Sequence, residues 1–183
     1  MLWLQASLLV MALSTGMSPS ASAGVADDVR LASAASAESV TRIYGGKSWL
    51  WKDGAGFFRP DGRFFAWSRQ GGVPSYATGL WSATKEGELC FSGTWRSTRG
   101  AAYATTCFMH RKSGATVYQI KETKKAEWYI FKHESVQPGD EYSKVVDGDT
   151  THANFIQVVA AVGSPKPAVK RRVVKSCKSR IKC

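Results

Sequence analysis

Histidine and cysteine are scarce in this chain of 183 residues, which has three of the first and four of the second, and none are spaced to hold a metal. His110, His133 and His152 share no H-x-x-x-H pattern, and Cys90, Cys107, Cys177 and Cys183 form no C-x-x-C, so a structural zinc is not expected. No glycine-rich loop follows a strand and opens a helix, which removes the usual phosphate cradle. Asp147-Gly148-Asp149 is a fragment of a calcium loop without the rest of its ligand pattern. Cys107 and His110 fall on opposite faces of one strand, a poor geometry for a nucleophile and its base. Asp53, Asp61, Asp147 and Asp149 all sit in glycine-containing turns, where aspartate serves local hydrogen bonding. With no catalytic constellation and no cofactor or metal site in the pattern, the expectation is a non-enzymatic protein.

Also missing is an apolar run long enough to cross a membrane. Leu2 to Met17 is mostly apolar but is interrupted by Gln5 and Ser7, and Gly16 and Pro19 break it. Followed by Ala21-Ser22-Ala23, it reads as an export signal over residues 1–23, cleaved after Ala23, which places the protein in the periplasm or outside the cell. No cysteine follows that site, against a lipid-modified N-terminus. Residues 24–35, rich in Ala, Ser and Asp, read as a flexible leader. One domain, residues 36–162, is expected after it, opening on a short helix capped at Ser36 with Val40, Ile43 and Tyr44 on one face and ended by Gly45-Gly46.

Acidic residues are absent from Gly163 to Cys183, which holds eight Lys and Arg and supplies +8 of the net charge of +11. The domain before it is nearly balanced, so the tail is a separate electrostatic device. Val169, Val173, Cys177 and Ile181 recur every four residues, and Lys170, Arg171, Arg172 and Lys175 surround them, which suits an anionic lipid surface or an acidic polysaccharide and allows peripheral membrane contact. Nucleic acid is disfavoured, because the chain reads as exported and the tail has no aromatic residue for base stacking. A disordered solubilising tail is the plain alternative. Cys177 and Cys183 close a small loop, pair between chains or stay free.

What is abundant is strand pattern. Three strand-like runs between Thr78 and Arg111 are joined by two turns. A loop at Lys85-Glu86-Gly87 with Gly87 left-handed pairs Trp81 with Phe91 and Ala83 with Leu89. Pairing Cys90 with Cys107 then sets Leu89 opposite Phe108 and Trp95 opposite Ala102, around Ser97-Thr98-Arg99-Gly100. Loop length, apolar face and cysteines agree, which predicts a cross-strand disulfide; two buried free thiols are the alternative. Pro60-Asp61-Gly62 presets a hairpin with Phe58 opposite Phe64 and Phe57 opposite Phe65. Both its faces are aromatic, one for the core and the other for the N-terminal helix or a ligand. A later hairpin around Thr123 to Ala126 is expected to match Tyr118 with Phe131 and Ile120 with Tyr129. Tyr142 to Val146 reads as a strand, and the HANFIQVVAAV segment as a helix rather than a closing strand. The fold class is all-β: an antiparallel meander of about eight strands, closed into a small lipocalin-like barrel, or else a two-sheet sandwich.

The segments IYGGKSWLW, GFFRPDGRFFAWS, YATGLWSATKEGELCF and TWRSTRGAAYATTCFMHR together resemble domain-of-unknown-function family 995, over roughly Ser36 to Val146. The resemblance implies a small exported protein of Gram-negative bacteria and carries over no catalytic residues. Trp67, Tyr76, Trp95 and Tyr103, near strand ends and loops, are the candidate contact residues of the domain. The leading expectation is an envelope-binding β-barrel held by its tail to anionic lipid or polysaccharide. The other is a periplasmic hydrolase inhibitor that presents the Ser97 to Gly100 loop.

Overall fold

The computed structural model describes residues 21–163. The tail from residue 164, with Lys170, Arg171, Arg172, Lys175, Cys177 and Cys183, and the first 20 residues lie outside the described part. In chain order the elements are α1 (Ala21–Leu31), β1 (Ser33–Ala34), α2 (Ala37–Tyr44), β2 (Lys47–Trp51), β3 (Gly54–Phe58), β4 (Arg63–Ser68), β5 (Ser75–Ala83), β6 (Glu88–Ser97), β7 (Gly100–Ser113), β8 (Thr116–Lys121), β9 (Tyr129–Lys132), β10 (Val145–Asp147) and α3 (His152–Val162). No helix among the described residues is long and apolar enough to cross a membrane.

Strands β2 to β9 form a continuous antiparallel meander, with β10 added beside β2 and β1 beside β7. The expected all-β meander is there, with ten strands instead of about eight because β1 and β10 are very short. It curls into a half-barrel. A closed barrel was the expectation, but β9 and β10, the two ends of the sheet, form no ladder with each other. The chain between them explains why. Pro138 and a 3₁₀ turn at Glu141–Lys144 take up the connection, and Tyr142 fills the gap with its ring 5.9 Å from that of Phe131.

The central registers follow from local chemistry. Gly87 has φ of 88°, and Trp81 pairs with Phe91, Ala83 with Leu89, Leu89 with Phe108 and Trp95 with Ala102. Cys90 and Cys107 are bonded, with Cα atoms 4.2 Å apart, the short spacing of a non-hydrogen-bonded strand pair. Gly62, with φ of 82°, closes the turn after Pro60-Asp61, and Phe58 meets Phe64 while Phe57 meets Phe65. Inside, Gly79 faces Gly93; a Cβ on Gly79 would lie 1.8 Å from the Ser92 carbonyl oxygen, so only glycine permits the two backbones to bend together here.

The half-barrel is plugged by α2. Ser36 Oγ accepts from Ser39 N at 3.2 Å to cap it, and Gly46, with φ of 75°, follows its end. Val40, Ile43 and Tyr44, at positions i, i+3 and i+4, are buried together on the inward face. The Tyr44 ring lies within about 6 Å of Trp49, Phe58, His110 and Phe131. Phe58, Phe64, Trp81 and Leu89 complete this closed end of the core.

The outer faces are covered by the other two helices. Phe155 of α3 packs edge-on against Phe65 and Tyr76, so the second aromatic face of the β3–β4 hairpin is covered by a C-terminal helix and not by α2. Residues 24–35, expected as a flexible leader, are instead α1 and β1. Val25, Val29 and Ala32 form a small stripe against Tyr118, Trp128 and Ile130, and Arg111 Nη1 donates to the carbonyls of Val29 at 3.0 Å and Ala32 at 3.3 Å, capping the helix end. Composition hid this helix because its apolar stripe is only Val25 and Val29, continued by Ala32 just past its end.

The β8–β9 register also differs from expectation. Tyr118 pairs with Ile130 and Gln119 with Tyr129, with a bulge between Val117 and Tyr118. Tyr118 therefore faces α1, whereas Val117, Gln119 and Phe131 are buried on the inner side. The segment read as a strand over Tyr142 to Val146 begins as a 3₁₀ turn and becomes extended only at Val145.

The disulfide closes a loop with a sequence separation of 17, at the centre of a sheet paired on both sides. Replacing both partners, Cys90→Ala with Cys107→Ala, is expected to lower the unfolding free energy by about 2 to 3 kcal/mol with little change in far-ultraviolet circular dichroism. Urea denaturation of the two proteins measures it.

Candidate functional site

Opposite the α2 plug, the inner face of the half-barrel opens into a cup of about 790 Å³. That size lies in the range of small-molecule sites. Alternation supplies its walls: inward positions of β2 contribute Trp49 and Trp51, those of β6 Phe91 and Trp95, and β7 Phe108. Trp49 sits at the floor, its ring 5.1 Å from Phe108, while Trp51 and Trp95 are half-buried. Ser68, Ser75 and Thr106 add hydroxyls, and Arg99, Lys121 and Glu141 are the charged lining residues. Arg99 comes from the β6–β7 turn and Lys121 from the end of β8; both are exposed.

Glu141 is held in place from two sides. Its Oε1 accepts from Trp49 Nε1 at 3.0 Å and its Oε2 from Lys144 Nζ at 2.6 Å. The residue before it anchors the turn. Asp140 is buried, and its carboxylate accepts from the backbone N–H groups of His133 at 3.0 Å and Gln137 at 2.9 Å and from His133 Nδ1 at 2.5 Å. Burial pushes the Asp140 carboxyl up, but these donors outweigh it and leave it below the usual carboxylate range.

Beneath the cup lies a buried polar cluster that joins the plug to the sheet. His110 Nδ1 lies 3.0 Å from the Gly87 carbonyl oxygen, which can only accept, so Nδ1 carries the proton and Nε2 is bare. Gln119 Nε2 donates to His110 Nε2 and to Tyr44 Oη, both at 2.7 Å, and Tyr44 Oη lies 3.0 Å from His110 Nε2. The Tyr129 hydroxyl donates to Gln119 Oε1. Burial lowers the His110 pKa to about 4, partly offset by its backbone partners at Gly87 and Phe108. Burial likewise raises Tyr44 well above the ordinary phenol value, and burial with the Glu141 charge raises Tyr129. At neutral pH the whole cluster is uncharged, and each polar atom has a partner. No sequence spacing signals this cluster, because its members lie on four separate elements.

Of the candidate contact residues, the structure brings only Trp95 into the cup. Tyr76 is buried under α3, which removes it as a contact residue. Trp67 lies on the outer face with the Arg69 guanidinium 5.3 Å from its ring centre. Tyr103, 70% exposed, stands on the outer face of β7. Phe91 and Phe108 fall on the apolar face of the register expected from the sequence, whereas the sequence pattern assigns Trp49 and Trp51 to no face and marks none of the four as the wall of a cavity. Among the described residues, Glu88, Cys90 and Cys107 are the one grouping with potential metal ligands in reach of each other, and its two sulfurs are bonded together.

The sequence matches the family described as "Protein of unknown function (DUF995)" over residues 9–151. The chain belongs to this family. The match spans α1, the α2 plug and the entire half-barrel, and ends just before α3, so the cup and the polar cluster both lie within the family's region. No curated protein and no solved structure matches the chain.

Protonating His110 at its folded value near 4, below the ordinary 6.5, makes the unfolded chain bind a proton in that interval which the folded chain refuses. Its contribution to stability is therefore complete above about pH 6.5, is lost progressively as pH falls to about 4, and falls no further below that, a change of roughly 3 kcal/mol. Asp140, with a depressed value, acts in a separate window: its contribution is kept above the ordinary carboxylate range and is lost as pH drops through its folded value. Urea midpoints measured from pH 7 to pH 4 for the parent and for His110→Gln should show the slope in the parent only.

Proposed function

We propose that this protein is a non-enzymatic carrier of a small molecule with an apolar body, held in the cup, and that it acts in the periplasm or outside the cell. The single observation that supports the reading most is the cup itself. Four half-buried rings, those of Trp51, Phe91, Trp95 and Phe108, stand over the buried Trp49 around a cavity of about 790 Å³, a size that suits a small molecule. The half-buried rings of Trp51, Phe91, Trp95 and Phe108 offer an apolar ligand a surface from which it would displace water. The basic tail, through Lys170, Arg171, Arg172 and Lys175, serves in this reading to hold the carrier near anionic lipid or polysaccharide. The inhibitor reading is less favoured, because Arg99 of the Ser97 to Gly100 turn lines the cup mouth.

Binding of the neutral probe N-phenyl-1-naphthylamine, followed by energy transfer from tryptophan, tests the carrier reading. One-to-one saturable binding is expected, weakened about threefold to tenfold by Trp95→Ala, which removes one stacking face without touching the plug. Absence of saturable binding would overturn it.

Export is tested separately by the intact mass of protein recovered from fractionated native cells. The expected form begins at Gly24, which keeps Val25 and Val29, the α1 residues that pack with Tyr118. A full-length, reduced, cytoplasmic chain would contradict export.

A further inference from the structure

Building on the cup as a ligand site, we propose that it selects amphipathic organic anions, of the chemical class of an acyl chain ending in a carboxylate. Three charged side chains line the cup, and they are not equivalent. Glu141 has both carboxylate oxygens engaged, by the Trp49 indole N–H and the Lys144 ammonium. Arg99 and Lys121 are exposed and make no ion pair among the described residues. The lining thus presents uncompensated positive charge, which attracts an anionic end group and repels a cationic one.

The walls define the rest of the ligand. Ser68 Oγ already accepts from Gln70 N at 3.2 Å, and Ser97 Oγ both accepts from Arg99 N at 3.1 Å and donates to the Gly100 carbonyl at 3.4 Å. That leaves the hydroxyls of Ser75 and Thr106, two groups to satisfy a polyhydroxylated molecule against the rings of Trp51, Phe91, Trp95 and Phe108. An apolar chain needs no such partners and displaces water from these rings. The carboxylate then stays with Arg99 or Lys121, where it keeps part of its hydration.

Displacement of N-phenyl-1-naphthylamine by dodecanoate, dodecan-1-ol and dodecyltrimethylammonium, all kept below micelle formation, tests the selectivity, with dodecanoate binding also read directly by calorimetry. Dodecanoate is expected to bind at least tenfold more tightly than the alcohol at low salt, with the ammonium weakest, and the preference should shrink as salt rises. The double variant Arg99→Gln with Lys121→Gln should bring dodecanoate to the level of the alcohol, whereas Lys85→Gln, on an exposed loop, should not. If the alcohol matches dodecanoate in the parent, or the double variant keeps the preference, the anion inference falls and the carrier reading stands. If neither the probe nor dodecanoate binds, both fall.

Discussion

Tyr44 reaches the middle of the half-barrel from a helix only eight residues long, and its hydroxyl ends in the cluster of His110, Gln119 and Tyr129. A sheet that does not close by its own ladder must be filled or covered, and this side chain performs both tasks. Its ring touches Trp49, Phe58 and Phe131, which come from strands near the two open edges and from the hairpin between them. A buried phenol without partners would cost about 1 to 3 kcal/mol. The neutral histidine and the glutamine amide remove that cost and bind the helix to β7 and β8. Gly87 enters the same arrangement: its carbonyl accepts from both the backbone and the ring of His110, and a Cβ there would lie 2.3 Å from the His110 carbonyl oxygen.

Because one end is filled in this way, the other can remain open. The inner faces of β2, β6 and β7 continue past the plug with Trp49, Trp51, Phe91, Trp95 and Phe108, and among the described residues no second helix enters to cover them. The gap between β9 and β10 is bridged by the Asp140-anchored turn, which delivers Glu141 to the cup and Tyr142 to the core. One connection therefore does two jobs: it completes the wall that the sheet leaves unfinished and contributes to the lining.

The parts of this fold that were legible in the sequence are those where short-range chemistry decides geometry. Gly87, Pro60-Asp61-Gly62 and the Cys90–Cys107 spacing each determine a register, and the α2 cap and apolar face determine a helix. The illegible parts depend on partners distant in the chain. Around Tyr118 the bulge turns on whether Gln119 can be satisfied inside, which requires Tyr44, His110 and Tyr129 to be there. Helix α1 packs its apolar side against Tyr118, Trp128 and Ile130, residues about a hundred positions further along the chain. The cup was hardest to see, since an inward tryptophan reads the same whether it meets another side chain or an empty space.

The disulfide and the cup use opposite faces of the same two strands. Leu89, Phe91 and Trp95 point inward from β6, and Cys90 points outward to Cys107 on β7. The covalent bond thus lies on the face turned away from the cup, and neither cysteine is among the lining residues. Cross-linking and lining are in this way separable properties of one hairpin: the bond ties the two strands together on the outer face, while the inward side chains shape the cup.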